Sequence, residues 1–163
     1  MTVMTYQEIQ TFVFREARLL DDRQWDEWLT CYHQKCEYWM PAWDDDDQLT
    51  NDPQKEISLI YYPNRNGLED RIYRIKTERS GASMPEPRTT HQCSNLEVLS
   101  QDETTVEIRY NFNTLSHRYR ETSHFFGTVF CSLDISGETP VITRKTVMLN
   151  NDYINQVIDV YHL

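Results

Sequence analysis

The chain has 163 residues, 39% of them hydrophobic and 26% charged, enough for one ordinary globular core, so a single domain over 1–163 is expected. Its formal net charge of −10 excludes a nucleic-acid footprint, which needs clustered positive charge. No apolar run approaches the ~20 residues that span a bilayer. Residues 1–8 carry neither a basic n-region nor an apolar h-region, so a cytoplasmic protein is expected, with Cys31, Cys36, Cys93 and Cys131 as reduced, buried thiols.

Thr5-x-x-Glu8 is a capping-box pattern, and Ile9, Phe12, Val13, Ala17 and Leu20 follow at helical spacing. A helix over 6–20 is predicted. Asp21 and Asp22 interrupt it, and Trp25, Trp28, Leu29 and Tyr32 mark a shorter second helix. Residues 37–40 read as a strand stopped by Pro41. Residues 44–53 are acidic and polar, hence a loop. Ile57, Leu59 and Tyr61 alternate in an apolar strand over 56–62. Leu68, Ile72 and Ile75 place a helix from near Asn66 to near Thr77, and Gly81, Pro85 and Pro87 force a loop over 80–87.

Long strands follow. One begins after Pro87. Val106, Ile108, Tyr110 and Phe112 alternate with polar residues in a half-exposed strand. Residues 125–133 are apolar on both faces, which predicts a strand covered on both sides, and 141–149 return after a turn over 136–140. The tail from Tyr153 to Leu163 is apolar and of open type. Helices first and sequential strands last give an α+β layout: N-terminal helices packed on a curved, largely antiparallel sheet. The shape fits a nuclear-transport-factor-2-like cone.

Metal motifs are incomplete. Cys31-Tyr-His33 has the form of half a Rieske site, but the second half, a Cys-x-x-His pair, is absent. His33, His91, His117, His124 and His162 lack the spacing with a carboxylate that a mononuclear iron triad needs. The acidic run at 44–47 has Leu49 and Lys55 where a calcium loop needs Gly and Glu. Gly67, Gly81, Gly127 and Gly137 never cluster into a phosphate loop.

Positive charge concentrates at Arg65, Arg71, Arg74, Lys76, Arg79 and Arg88 in a chain that is acidic elsewhere. Either these residues pair internally, as the i, i+4 spacing of Asp70 and Arg74 allows, or they dock a partner through bidentate arginine contacts. Ten Tyr, six Phe and four Trp serve an aromatic core or a permanent interface equally well.

The order of these segments resembles the small (β) subunit of aromatic-ring-hydroxylating dioxygenases. The resemblance rests on Phe14-Arg-Glu-Ala-Arg-Leu-Leu-Asp21, Trp25-x-x-Trp28-Leu29, Tyr38-Trp-Met-Pro41-Ala-Trp43, the ending Leu149-Asn-Asn-Asp-Tyr-Ile154, and Val157-Ile-Asp-Val-Tyr-His162. Asn64-Arg-Asn-Gly-Leu-Glu-Asp-Arg71 is closest to the benzoate/toluate type. The resemblance implies a non-catalytic structural subunit in an NADH-dependent oxygenase that cis-dihydroxylates an aromatic acid: benzoate, a toluate, a halobenzoate or anthranilate. It implies a partner large (α) subunit carrying a Rieske [2Fe-2S] cluster and a mononuclear non-haem iron. It also implies three small subunits in a three-plus-three hexamer, and a reductase acting on the partner. No catalytic, cofactor or metal residue is carried over. Arg65, Arg71, Arg74, Trp39 and Trp43 are the expected interface residues. Two other readings stand beside this one. One is a free-standing isomerase or dehydratase on the same cone, using residues such as His91, Asp70, Tyr38 and Tyr73. The other is a protein-binding adaptor.

Overall fold

The computed structural model describes residues 3–43, 47–77, 85–151, 154 and 157–163. The acidic run over 44–46, Arg79, most of the 80–87 loop and Tyr153 therefore lie outside the described residues. Helix α1 spans Tyr6–Asp21. Thr5 and Glu8 cap each other reciprocally, which satisfies two of the backbone N–H groups a helix start leaves unpaired. Its buried stripe is Ile9, Val13, Glu16, Ala17, Leu19 and Leu20, so one carboxylate sits among the apolar residues.

α1 ends in a Schellman turn. Arg23 adopts φ 56°, its N–H bonds Leu20 O, and the N–H of Gln24 reaches back to Leu19 O at 2.9 Å. Helix α2 is only Trp25–Leu29. Tyr32, expected in this helix, instead opens strand β1, Tyr32–Pro41. The register of β1 slips between Tyr32 and Glu37; the slip breaks the period-2 pattern that would reveal the strand.

Strand β2 is Ser58–Tyr62 and helix α3 is Asn66–Lys76. The long strands are β3 Arg88–Gln101, β4 Thr105–Arg118, β5 Glu121–Asp134 and β6 Val141–Leu149. The sheet order is β2-β1-β6-β5-β4-β3. β1 and β6 run parallel; every other neighbouring pair is antiparallel. This is the expected cone, with α1 packed on β3 and α2 lying between α1 and α3.

The core lies inside the curl. α1 contributes Ile9 and Val13, α3 Leu68, Ile72 and Ile75, and β4 Val106, Ile108, Tyr110 and Phe112. Each such side chain withdrawn from water adds ~1.5–3 kcal/mol. The tail closes one end. Asp159 caps a 3-10 turn over Val160–His162, and Val160, Tyr161 and His162 are buried.

Four local features of the sheet lie outside the sequence reading. β2 is an edge strand whose Ile57 and Leu59 neighbourhood faces solvent: Ile57 is 80% exposed. β5 is covered on one face only, since Phe126 lies 46% exposed. Gly127 is needed for close approach, because a Cβ there would meet Met148 O at 2.0 Å. Past the end of β6, Asn151 continues the ladder with its side chain, accepting from Phe126 N and donating to His124 O.

Candidate functional site

The most perturbed titratable groups sit at the centre of the cone. Lys145 Nζ lies 3.1 Å from Glu16 Oε1. The same oxygen accepts from Trp28 Nε1 at 2.9 Å and Tyr32 Oη at 2.8 Å. Burial pushes the Glu16 carboxyl up, but the Lys145 charge and the three donors overcome it and hold it below its ordinary value. Burial alone would lower Lys145, and Glu16 reverses that. The ammonium also lies 5.6 Å from the Tyr38 ring. Perturbed groups in a cleft mark active sites. These are not in a cleft: Glu16, Trp28, Tyr32, Tyr38 and Lys145 are all 3% exposed or less. The cluster is a closed structural ion pair. Sequence reasoning missed it, although a carboxylate three residues beyond Val13, on the apolar stripe, was the available signal.

The residues of the free-standing-enzyme reading do not converge. Tyr38 is buried in the core and Tyr73 is 55% exposed. Asp70 pairs with Arg74 on the surface. His91 is held by Asp21: Nδ1 lies 2.5 Å from Oδ1, and the backbone N–H donates to Oδ2 at 2.9 Å. Its Nε2 meets the main-chain oxygen of Leu163 at 3.1 Å. Both ring nitrogens are occupied, so the pair works as a clamp between α1, β3 and the tail.

The metal candidates are equally dispersed. Burial pushes Cys31 and Cys36 up to about 11 and Cys93 and Cys131 up to about 12. Cys31 Sγ accepts from Arg15, while His33 Nδ1 accepts from the Lys35 backbone N–H. Among the described residues no three His, Cys, Asp or Glu side chains gather as ligands. The described Cys and His donors therefore do not come together in the arrangement an iron or iron–sulfur site needs.

The expected interface residues gather loosely around α3 and β1. Arg71 forks onto Asp159 with Nε and Nη2, tying α3 to the tail. Arg65 donates to Glu69 at 2.8 Å and to Tyr32 O at 3.0 Å. Among the described residues Arg74 pairs with Asp70, at 3.2 Å, and its side chain is 59% exposed. Trp39 donates to Ser58 Oγ and Trp43 to Leu149 O. Arg71, Arg74, Leu59, Val157 and Asp159 line a shallow groove of about 360 Å³. With Ile57 and Val157 exposed nearby, this flank combines an apolar rim with arginine. The rim was missed because Ile57 and Leu59 read as core from alternation alone, and only the sheet order makes β2 an edge.

The chain thus has a closed core and a helix flank suited to contact, and among the described residues no metal-binding cluster. The family model "Ring hydroxylating beta subunit" matches residues 15–156. The toluate 1,2-dioxygenase subunit beta of Pseudomonas putida is 58% identical over 160 residues, 98% of this chain and 99% of that one. The benzoate 1,2-dioxygenase subunit beta of Acinetobacter baylyi is also 58% identical, over 98% of this chain and 95% of its own. The crystal structure of the beta subunit of the benzoate 1,2-dioxygenase from Burkholderia mallei superposes with TM-score 0.85 at 48% identity, covering all of both chains. Matched along almost its whole length in sequence and in fold, the chain belongs to the ring hydroxylating beta subunit family.

Proposed function

We propose that this chain is the small subunit of a 1,2-dioxygenase acting on benzoate or a ring-substituted benzoate. It holds the oxygenase together and performs no chemistry itself. The observation that carries the reading is near-full-length identity of 58% to the beta subunits of a toluate and a benzoate 1,2-dioxygenase. The dispersed donor set of this chain supports leaving the Rieske cluster and the mononuclear iron to the large subunit. There dioxygen adds across the ring and NADH supplies two electrons through a reductase. The chain acts as one domain, three copies join three large subunits, and the assembly works in the cytoplasm. The absence of a long apolar helix among the described residues is compatible with that location.

The large subunit docks on the α3 flank. Arg74 presents its exposed guanidinium to a carboxylate or carbonyl of the partner, a geometry arginine suits. Arg65 and Arg71 hold the helix in place from behind, and Trp39 and Trp43 brace the neighbouring strand. Reconstitution tests the whole reading: large subunit and reductase are assayed on benzoate with and without this chain. Formation of the cis-dihydrodiol only in its presence is expected. Undiminished turnover without it would end the proposal.

A further inference from the structure

The His91 ring has an acceptor on each side. Its Nδ1 lies 2.5 Å from Asp21 Oδ1, and its Nε2 lies 3.1 Å from the main-chain oxygen of Leu163. A neutral imidazole has one N–H and one lone pair, so it donates on one side only. The imidazolium donates on both. Asp21 does not supply the second proton. It also accepts from the Thr89 hydroxyl and the His91 backbone N–H. Burial pushes its carboxyl up, but these donors and the His91 ring overcome that and hold it below its ordinary value. The Leu163 oxygen has no proton to give. Both contacts are therefore complete only when the ring is charged.

The surroundings agree. The His91 side chain is 2% exposed, so water does not make up for a lost donor. Asp21 faces the ring from α1 and His162 from the 3-10 turn, and the register partner on β4 is Thr114. Cys93, two residues on along β3, stays a neutral thiol because burial pushes it up to about 12. His162 is pushed down to about 3, first by burial and then by the charges of His91 and Arg118. One anion and one cation thus meet at this end of the cone.

The contact reaches beyond the ring. Leu163 N–H bonds Val160 O, which ties it to the 3-10 turn. Asp159, which caps that turn, takes the fork from Arg71 of α3. Val157 and Asp159 wall the groove beside Arg74. Residues 157–163 are therefore pinned by His91 at one end and by Arg71 near the other.

We infer that residues 157–163 form a pH-operated strap, fastened to α1 and β3 by the His91 imidazolium and released when that ring loses a proton. The Nδ1 proton stays with Asp21, whose negative charge holds it, and the Nε2 proton passes to solvent. The Nε2 lone pair then faces the Leu163 oxygen, and two acceptors in contact repel. Histidine changes charge between about pH 5 and 8. The strap is fastened at the acid end of that range and freed at the other, where Asp159 also loosens its hold on Arg71. The inference concerns the chain by itself and does not depend on the docking of the large subunit.

Nitrogen-15 NMR of the His91 ring and amide hydrogen exchange test it on the purified full chain. Both ring nitrogens are expected to carry a proton at about pH 5.5, and only Nδ1 at about pH 8.5. The amides of Val160, His162 and Leu163 are each bonded within the turn. Their protection, taken relative to buried β5 amides, is expected to fall at least about tenfold over that span, the scale of one hydrogen bond to a charged group. His91→Gln has no ring proton to lose, and its ratio is expected to stay constant with pH. Should that variant not fold, the wild-type spectra and exchange decide alone. Three results would overturn the inference: a single ring N–H at the acid end, a wild-type ratio that does not change, or a folded His91→Gln chain that keeps the change. The reconstitution assay on benzoate reads the functional proposal separately.

Discussion

At the scale of single residues, Glu16 and Lys145 carry the strongest expectation. A buried charge left without its partner costs ~3–5 kcal/mol, whereas removing both charges is far milder. Lys145→Met is therefore expected to destabilise the fold by about 3 kcal/mol or more in urea unfolding. Glu16→Gln combined with Lys145→Met is expected to recover at least half of that loss. The Gln oxygen still accepts from Trp28 and Tyr32. A double variant no better than the single one would contradict the pairing. His162 supplies a pH signature. Burial, then the neighbouring charges of His91 and Arg118, push its pKa down to about 3 from an ordinary 6.5. Its Nδ1 accepts from the Asp159 backbone N–H, and its ring stacks on Phe125. The depressed value means that the unfolded chain takes up a proton the folded chain refuses. The stabilisation is complete above about pH 6.5 and is lost on acidification towards 3, by up to about 1.4 kcal/mol per pH unit. His162→Gln should flatten the stability profile between about pH 6.5 and 5, above the carboxylate range. An unchanged slope in that window would exclude this origin. Cys31, Cys36 and Cys131 are buried, whereas Cys93, expected buried, is only partly so; the three buried thiols should react with a thiol reagent only as the chain unfolds.

Among the elements, the β4–β5 hairpin is the informative one. Arg118 pairs with Glu121, so only Tyr119 and Arg120 form the turn, with φ 54° and 64°. Two-residue hairpin turns need positive φ at both positions and favour Asn-Gly. Here two residues with Cβ atoms occupy the left-handed region, at ~1–2 kcal/mol each. The Arg118 guanidinium over the Tyr119 ring, at 4.8 Å, offsets part of this. Tyr119→Asn with Arg120→Gly is expected to raise the urea midpoint by an amount worth about 1 kcal/mol. A lower midpoint would mean that the ring stacking outweighs the backbone strain. The same residues explain why the strands were read too short: neither turn residue is a turn signal, so 113–124 offered nothing to mark where β4 stops and β5 starts. α1 and α3 were legible for the opposite reason. Their apolar residues recur at three and four, and Thr5 with Glu8 marks a start that needs no tertiary help.

At the scale of the molecule, the acidic chain should meet its large partner through its basic flank. Arg74→Glu is expected to weaken co-purification with the large subunit about tenfold and to make the remainder less dependent on salt, as rim charges do. An unchanged salt dependence would move the docking surface elsewhere. The proposed docking flank was only half legible. Composition showed that arginines concentrate over 65–79, but Arg71 turned out to hold Asp159 and Arg65 to hold Glu69. Which arginine faces a neighbour depends on where the tail returns, over 80 residues later in the chain.

Local periodicity and capping, properties of a few adjacent residues, determined the helices, the α+β order and the family pattern from sequence alone. The interior was decided by pairing between distant strands. Ser132 faces Arg144 while Leu133 faces Ile142, so Thr143 is one residue too many in β6. One extra residue reverses every side chain that follows. That reversal points Lys145 into the core beside Glu16, where strict alternation from Ile142 would have left it in water. A bulge is a relation between two strands, and no stretch of one strand encodes it.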